Sequence, residues 1–193
     1  GSTFDTPAQL RKTQQLAEKF KIAELASRFL RPSSTYFFDS SSTSAVLASR
    51  LTEYPDVKIA TNGVDIIANM SSSPKLSILS CGGYLRSPWG ELTGNIAIKS
   101  IEGMYADVFF FSCAGFTREQ GAMEFSDENV AVKRAFYRNS KLHILLCDST
   151  KFGKQYFFNL FTLHEIDYIV TDKRPVNSAL VELMGDRLIY PEG

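Results

Sequence analysis

Short apolar runs, separated by stretches of helical length, most limit the folds open to this chain. Six runs occur, at residues 36–38, 57–60, 76–79, 108–111, 142–146 and 168–170. Helical patterns fill most of the gaps, at about residues 43–53, 62–70, 94–103, 126–139 and 177–184. Strands of a parallel sheet are buried on both faces and therefore appear as continuous apolar runs. The alternation predicts one α/β domain with a Rossmann-like, mainly parallel sheet and helices on both faces.

Length and charge exclude several classes of protein. The 193 residues are 44% hydrophobic and 22% charged, which suits one domain with a substantial core. The 21 basic residues balance 21 acidic ones. Because binding to a phosphate backbone needs a basic excess or a basic face, the chain is not expected to hold nucleic acid by itself. No apolar run approaches the length of a membrane span.

Cysteine usage and loop motifs argue against cofactors. Cys81, Cys113 and Cys147 are odd in number and widely spaced, with no CxxC pair, so we expect no metal site and no disulfide framework. Free cysteines fit a reducing cytoplasm. The chain has no GxxxxGK[ST] loop and no GxGxxG after its first strand, so we expect no nucleotide cofactor.

The N-terminal segment predicts one long basic helix. Thr6 is its expected cap, with Pro at the first helical position, and Pro32 ends it after about Leu30. Its basic residues are Arg11, Lys12, Lys19, Lys21, Arg28 and Arg31. They form either a solvated face or the side that adjoins a DNA-binding module.

Polar residues follow most of the predicted strands. Ligands of open parallel sheets bind beyond the carboxyl ends of the strands, so these positions are candidate site residues. The hydroxyl-rich turn after the first strand contains Ser40, Ser41, Ser42, Thr43 and Ser44 and opens a helix. A helix N-terminus can bind a phosphate group, although a serine there can also be a simple cap.

Other candidates are weaker taken singly. Gly82 and Gly83 allow close backbone approach to a ligand, and Arg86 could pair with a phosphate. Lys133 and Lys151 could bind a phosphate or a sugar oxygen, although most lysines are solvated. A Cys–His enzyme is disfavoured, because no spacing of Cys113 with a histidine and a third group defines a triad.

Seven motifs in the same order resemble the C-terminal sensor domain of DeoR-type transcriptional repressors, over roughly residues 15–175. They are Phe-Asp-Ser-Ser-Ser-Thr at 38–43, Ala-Thr-Asn at 60–62, Gly-Gly-Tyr-Leu-Arg at 82–86, Ala-Asp at 106–107, Ala-Val-Lys-Arg-Ala at 131–135, Asp-Ser-Thr-Lys-Phe-Gly at 148–153 and Ile-Asp-Tyr-Ile-Val-Thr-Asp at 166–172.

The resemblance implies a ribose-phosphate isomerase and CoA-transferase-like fold and a sensor of sugar metabolism rather than an enzyme. Such a domain binds a phosphorylated sugar effector, which modulates operator binding by a winged helix-turn-helix domain. That domain is expected to be missing from this sequence, with Gly1 and Ser2 a remnant of a tag. Residues 1–31 would then be a linker helix and residues 32–193 the effector-sensing domain. A homo-oligomer is expected.

The resemblance also assigns roles to individual residues. The phosphate would be bound by Ser40, Ser41, Ser42, Thr43, Ser44, Arg86 and Lys151. The sugar would be bound by Asp39, Thr61, Asn62, Gly82, Gly83, Cys113 and Lys133.

One position departs from the family pattern. Ala114 stands where the family shows an aspartate, in a region where the related isomerases carry acidic catalytic residues. Proton transfer between sugar carbons needs a carboxylate as general base, so this change favours a sensor over an isomerase. A sugar-phosphate isomerase-like enzyme and an oligomerisation domain with a vestigial pocket remain the alternatives.

Overall fold

The N-terminal segment is two helices, not one. The computed structural model describes residues 7–192, so the predicted cap at Thr6 and the expected tag residues lie outside it. Helix α1 spans Ala8–Thr13 and α2 spans Leu16–Ala26, followed by a 3-10 turn. Between the helices, Gln15 adopts the left-handed conformation, with φ 52°. The prediction of a continuous helix was therefore wrong, and no glycine or proline marks the break.

Each predicted apolar run lies in a strand, and each of the five later helical patterns contains a helix. Among the described residues the later helices are α3 Ser42–Ala48, α4 Val64–Met70, α5 Asn95–Glu102, α6 Asp127–Arg138 and α7 Ser178–Met184. The strands are β1 Thr35–Phe38, β2 Val57–Thr61, β3 Leu76–Ser80, β4 Tyr84–Arg86, β5 Glu91–Thr93, β6 Ala106–Phe111, β7 Gly115–Thr117, β8 Gly121–Glu124, β9 Ser140–Leu146, β10 Phe158–Phe161, β11 Tyr168–Val170 and β12 Leu188–Ile189.

Seven strands form one sheet in the order β12-β11-β9-β6-β1-β2-β3, and all neighbouring pairs are parallel. Phe38, the last residue of β1, lies opposite Thr61 of β2 and Phe110 of β6. The carboxyl ends of the central strands therefore meet at one edge. The predicted mainly parallel sheet is confirmed.

Helices cover both faces of this sheet. Successive side chains of each strand point to opposite faces, so each central strand contributes to both cores. Phe38 packs on the face covered by α2, α3 and α4, together with Leu47 of α3. Phe37 points to the opposite face, where α5, α6 and α7 lie, and packs against Phe136. The two cores are held mainly by burial of aliphatic and aromatic side chains, each of which contributes about 1.5–3 kcal/mol.

Two small antiparallel sheets accompany the main sheet. Strands β4 and β5 form an antiparallel hairpin that follows β3. Strands β7, β8 and β10 form a three-stranded sheet that the sequence did not predict, since these strands have only three or four residues. Within the described residues, no helix has the length and apolarity to cross a membrane.

Candidate functional site

A polar cavity of about 420 Å³ lies beyond the carboxyl ends of the central strands. The main sheet contributes residues that follow β1, β6 and β9, namely Asp39, Ser40, Ser41, Ser42, Thr43, Ser112, Cys113, Ala114, Asp148, Thr150 and Lys151. Two other groups complete the lining: Arg11, Gln14, Gln15 and Lys19 from the N-terminal segment, and Glu124, Phe125, Asn129, Lys133, Lys154 and Tyr156 from the second half of the chain. The cavity occupies the place where open parallel sheets bind ligands.

Asp39, directly after β1, is the most deeply buried acidic residue of the cavity lining and is 1% exposed. Its Oδ1 accepts hydrogen bonds from the Ser41 hydroxyl at 2.6 Å and the Ser44 hydroxyl at 2.5 Å. Its Oδ2 accepts from the backbone N–H of Ser112 at 2.9 Å, which joins the ends of β1 and β6. The carboxylate is therefore compensated by fixed donors, as a buried charge requires.

Lys133 of α6 extends its side chain to Asp39. Its Nζ lies 3.2 Å from Asp39 Oδ2 and 2.6 Å from Glu124 Oε1, and it donates to the Ser112 carbonyl at 2.8 Å. Burial by itself would lower the pKa of Lys133, but the nearby carboxylates of Glu124 and Asp39 outweigh it and hold the pKa above its ordinary value. Lys133 is therefore a permanent cation in the cavity.

Glu124, the last residue of β8, places a second carboxyl group in the cavity. Burial raises the pKa of Glu124, the ammonium of Lys133 opposes that shift, and the charges of Asp39 and Glu91 add to it. Ala114 also lines the cavity and carries no carboxyl group. The expectation from Ala114 is therefore incomplete, because Glu124 supplies an acidic group from another strand.

The serine-rich turn lines the cavity, but four of its hydroxyl groups are already engaged, including that of Ser42, which donates to the Arg11 carbonyl at 3.5 Å. Ser41 and Ser44 donate to Asp39, and Ser40 donates to Glu91 Oε2 at 3.1 Å. Ser41 also caps α3 by accepting from the backbone N–H of Ser44. Ser44 is fully buried and does not line the cavity. This turn therefore orients Asp39 as well as bordering the cavity.

Four other predicted residues lie at the ends of β2 and β3, away from the cavity lining. The hydroxyl of Thr61 accepts from the backbone N–H of Gly63, and the side-chain amide of Asn62 donates to the Leu92 carbonyl. Gly83 has φ +107°, and a Cβ there would lie 2.5 Å from the Thr93 carbonyl oxygen. Gly82 also has positive φ. Asn62 and Gly83 thus contact strand β5 and help to hold the β4–β5 hairpin against the main sheet.

Arg86 is also engaged in holding that hairpin. Its guanidinium forms an ion pair with Glu91 of β5 and another with Glu128 of α6, and it lies over the ring of Trp89. It donates to the hydroxyl of Ser126, which caps α6. Arg86 therefore lies outside the cavity lining and contacts the first turn of α6 through Ser126 and Glu128.

The other cationic side chains of the lining come from the N-terminal segment and from the loop after β9. They are Arg11, Lys19, Lys151 and Lys154. Lys19 is 5% exposed and donates to the Arg11 carbonyl. Burial lowers the pKa of Lys19 to about 8, the Asp148 carboxylate opposes this, and the cations Lys151 and Arg11 lower it further. This cluster of like charges is arranged to receive an anion.

Several of these cavity residues were missed in the sequence. Lys19 lies three, four and seven residues before Ile22, Ala23 and Ala26, on the buried face of α2, and a lysine on such a face is a recognisable signal. Glu124 interrupts the apolar pattern of β8 in a similar way. Arg11 gives no such signal. The six basic residues of the segment do not share one face, since Lys12 pairs with Asp65 while Arg11 and Lys19 line the cavity.

Cysteine and metal chemistry find no support at this site. Cys81, Cys113 and Cys147 are free and buried. Of the three, Cys113 lines the cavity, whereas Cys81 lies outside the lining and burial raises its pKa to about 12, which disfavours the reactive thiolate. Both ring nitrogens of His143 are engaged, Nδ1 with Asp167 at 3.0 Å and Nε2 with backbone carbonyls. Residues 7–192 contain no cluster of three or more His, Cys, Asp or Glu side chains able to hold a metal ion.

Sequence comparison finds relatives of this chain among transcriptional regulators. The chain is 28% identical over 173 residues to the HTH-type transcriptional regulator GolR of Listeria innocua, covering 90% of this chain and 68% of the relative. It is 28% identical over 179 residues to the glycerol-3-phosphate regulon repressor of Escherichia coli, covering 93% and 71%. The L-fucose operon activator of Escherichia coli is 25% identical over 175 residues, covering 91% and 72%.

Solved structures agree on the fold. Ribose 5-phosphate isomerase A from Neisseria gonorrhoeae matches with a TM-score of 0.51 and 10% identity, covering 71% of this chain and 53% of that chain. The eIF2B delta subunit from Chaetomium thermophilum matches with a TM-score of 0.57 and 12% identity, covering 84% and 58%. The chain therefore spans little more than half the length of either solved protein, and the likeness concerns the fold alone.

A family model supplies the assignment. The model described as the DeoR C terminal sensor domain matches residues 14–173, which include all seven motifs and most of the cavity lining. Arg11 lies before the matched span, while Lys19 and the strand-end residues lie within it. The chain belongs to the DeoR C-terminal sensor domain family.

Proposed function

We propose that this sensor domain binds a phosphorylated sugar or polyol in the cavity. One observation carries the proposal: five cationic and three acidic side chains line the cavity, which gives an excess of two positive charges. A phosphomonoester carries about 1.5 to 2 negative charges at neutral pH and so matches this excess. The polar lining suits hydroxyl groups better than an apolar ligand.

The charged and polar residues of the cavity fall into two groups according to their partners. Lys19, Lys151 and Lys154, with Arg11, bind the phosphate, because no described residue forms an ion pair with any of the four. Asp39, Glu124, Lys133 and Asn129 bind the sugar hydroxyls. Asn129 Oδ1 is buried without a hydrogen-bond partner among the described residues, so a ligand hydroxyl would satisfy it. Of the residues expected from the family, Cys113, Lys133, Lys151 and those at 39–43 line the cavity.

Occupancy of the cavity modulates transcription in this proposal. The relatives include a glycerol-3-phosphate regulon repressor and an L-fucose operon activator, so their names cover both directions of control. In the intact regulator, residues 1–31 link a winged helix-turn-helix domain to the sensor at residues 32–193, and the protein acts in the cytoplasm as a homo-oligomer. The side chains of Leu79, Tyr84 and Ile96, exposed near the free edge of β3, support self-association.

A thermal-unfolding panel tests ligand binding. Glycerol 3-phosphate, ribose 5-phosphate and fructose 1-phosphate would be compared with their unphosphorylated parents. A ligand present at 100 times its Kd adds about 2.7 kcal/mol to the free energy of unfolding. At about 2–4 °C for each kcal/mol, the Tm should rise by roughly 5–10 °C with a phosphorylated compound and stay unchanged with its parent.

A pair of variants assigns that response to the cavity. Lys151→Met should reduce the rise in Tm, whereas Lys141→Met should keep it, since Lys141 is exposed at the amino end of β9. If millimolar sugar and polyol phosphates, tested across the panel, all leave the Tm of the folded protein unchanged, the proposal is wrong.

A second candidate function is isomerisation of a sugar phosphate. The observation in its favour is Glu124, a carboxyl group with a raised pKa in the same cavity as Lys133. Such a group can act as a general base. Incubating the protein with aldose phosphates and measuring the ketose formed tests it. Turnover that is abolished in Glu124→Gln and kept in Lys141→Met would favour the enzyme, and its absence from the wild type would exclude these reactions.

A further inference from the structure

The N-terminal segment forms one side of the ligand cavity, although α1 precedes the span matched by the family. We call Arg11, Gln14, Gln15 and Lys19 the N-terminal wall. Because all four line the same cavity as Asp39 and Lys151, a ligand that fills it must contact this wall. The segment that leads toward the start of the chain is thus part of the site.

The break at Gln15 creates the wall. In a continuous helix, residues 11 and 19 would lie about 12 Å apart along the axis, too far for a lysine side chain to span. In this structure Lys19 Nζ donates to the Arg11 carbonyl. The break therefore folds the end of α1 back over Lys19 and brings both basic residues to the cavity.

Polar contacts, rather than a core, hold α1 in this position. Lys12 Nζ lies 3.1 Å from Asp65 Oδ1 of α4, and Arg11 Nη2 donates to the Trp89 carbonyl at 2.6 Å. The Lys12 and Asp65 side chains are both more than a third exposed, and such pairs contribute little to stability. None of the described side chains of α1 is buried, and six residues are too few for an independent helix. A ligand can therefore change how firmly α1 is held.

Arg11 has unused binding capacity at the cavity. Its Nε is buried without a hydrogen-bond partner among the described residues, and a buried donor left unpaired costs about 1–3 kcal/mol. Lys19 lies beside it with only the Arg11 carbonyl as a described partner. Burial lowers the pKa of Lys19, and the Asp148 carboxylate offsets only part of that shift.

We infer that Arg11 and Lys19 bind the anionic group of the effector and that effector binding fastens α1 onto the sensor domain. This inference rests on the proposed function and extends it to the position of α1, which precedes the family span. By thermodynamic linkage, whatever strengthens the seating of α1 strengthens ligand binding by the same factor. The ligand would act on the N-terminal part of the regulator through this wall.

The test uses the whole chain and inorganic phosphate, the group common to the proposed ligands, with chloride at matched ionic strength as the reference. Phosphate should bind Arg11→Met and Lys19→Met about tenfold more weakly than the wild type, because each loses a charge-assisted hydrogen bond. Lys21→Met is the matched control, since Lys21 is exposed on α2 and pairs with Glu24.

Hydrogen exchange provides the second measurement. Phosphate should slow the exchange of amides at residues 10–19 in the wild type and in Lys21→Met, and should leave it unchanged in Arg11→Met. If the wild type binds phosphate but both wall variants bind it within twofold of that affinity, the inference is wrong and the proposed function stands. If the wild type binds neither phosphate nor any compound of the panel, both are wrong.

Discussion

Lys133 makes contacts with three separate parts of the chain that meet at the cavity. Its ammonium group touches Asp39 after β1, the Ser112 carbonyl after β6 and Glu124 at the end of β8. A buried ion pair of this kind is weak evidence for added stability, but removal of one partner leaves an uncompensated charge. The residue that we propose to bind the ligand also compensates two buried carboxyl groups.

Replacement of that lysine should destabilise the protein in a pH-dependent way. Loss of one partner of a buried ion pair typically costs 3–5 kcal/mol, or roughly 6–20 °C in Tm for a chain of this size. The pKa of Glu124 is already raised and would rise further in Lys133→Met. A raised carboxyl pKa means that stability falls as pH rises through the window between the unfolded and folded pKa values. The loss should therefore be larger at pH 8 than at pH 5, measured by thermal unfolding.

Lys141→Met provides the control for this experiment. The Lys141 side chain is exposed, so its replacement is expected to change the Tm by less than about 2 °C. A Tm of Lys133→Met within 2 °C of the wild type at both pH values would contradict the structural role of the ion pair.

Lys19 should make ligand binding depend on pH. Burial and the charges of Arg11 and Lys151 place its pKa near 8, against the opposing charges of Asp148 and Glu18. A bound phosphate stabilises the protonated amine and raises that pKa, so affinity is complete below about pH 8 and falls as pH rises above it. Phosphate monoesters keep their second negative charge above a pKa of roughly 6. Affinity should therefore be highest between about pH 6 and pH 8.

Calorimetric titrations at several pH values measure this dependence. Lys19→Arg keeps its charge at high pH and should remove the fall above pH 8. An identical fall in Lys19→Arg and in the wild type would show that another group is responsible.

The elements of this fold differ in how far the sequence predicts them. Strands β1, β2, β6 and β9 could be predicted because both of their faces are buried, so each is a continuous apolar run. Strands β7 and β8 could not, since each is short and its role depends on distant contacts. Gly121, for example, has positive φ and lies against the backbone of β10.

The α1–α2 break was unpredictable for a related reason. Gln14 and Gln15 are ordinary helix residues, and a continuous helix satisfies every local preference. The bent arrangement is accompanied by the contacts of Arg11 with Trp89 and of Lys12 with Asp65, which join residues far apart in the sequence. Local propensity is a weak prior and carries no information on such contacts. Because the break was not predicted, Arg11 could not be assigned to the cavity.

For the molecule as a whole, position within the fold was easier to predict than the role of each side chain. The carboxyl edge of the sheet was expected to hold the site, and the residues after β1, β6 and β9 meet there. The loops after β2 and β3 also follow strands of that sheet, but their residues contact the β4–β5 hairpin instead of the cavity. Sequence order alone could not distinguish a loop that borders the cavity from one that supports a hairpin.

Self-association is the prediction that belongs to the whole molecule. Strand β3 is an edge strand, and Leu79, Tyr84, Leu85 and Ile96 are exposed around or near it. Exposed apolar groups of this kind are typical of contact surfaces. Sedimentation velocity at micromolar concentration should give a mass of at least twice 21.6 kDa, and Leu79→Lys should lower it while the exposed Lys99→Met does not. A monomer at every concentration would contradict this prediction.

The double duty of Lys133 also bears on how this family can diversify. A substitution at Asp39, Glu124 or Lys133 changes ligand contacts and unbalances buried charge together, so it requires a compensating change elsewhere. Gln14 and Tyr156 border the same cavity and carry no formal charge, so their substitution leaves the buried charges balanced. The ligand preference of this domain should therefore be easier to alter by substitution at this second set, with the buried charges left unchanged.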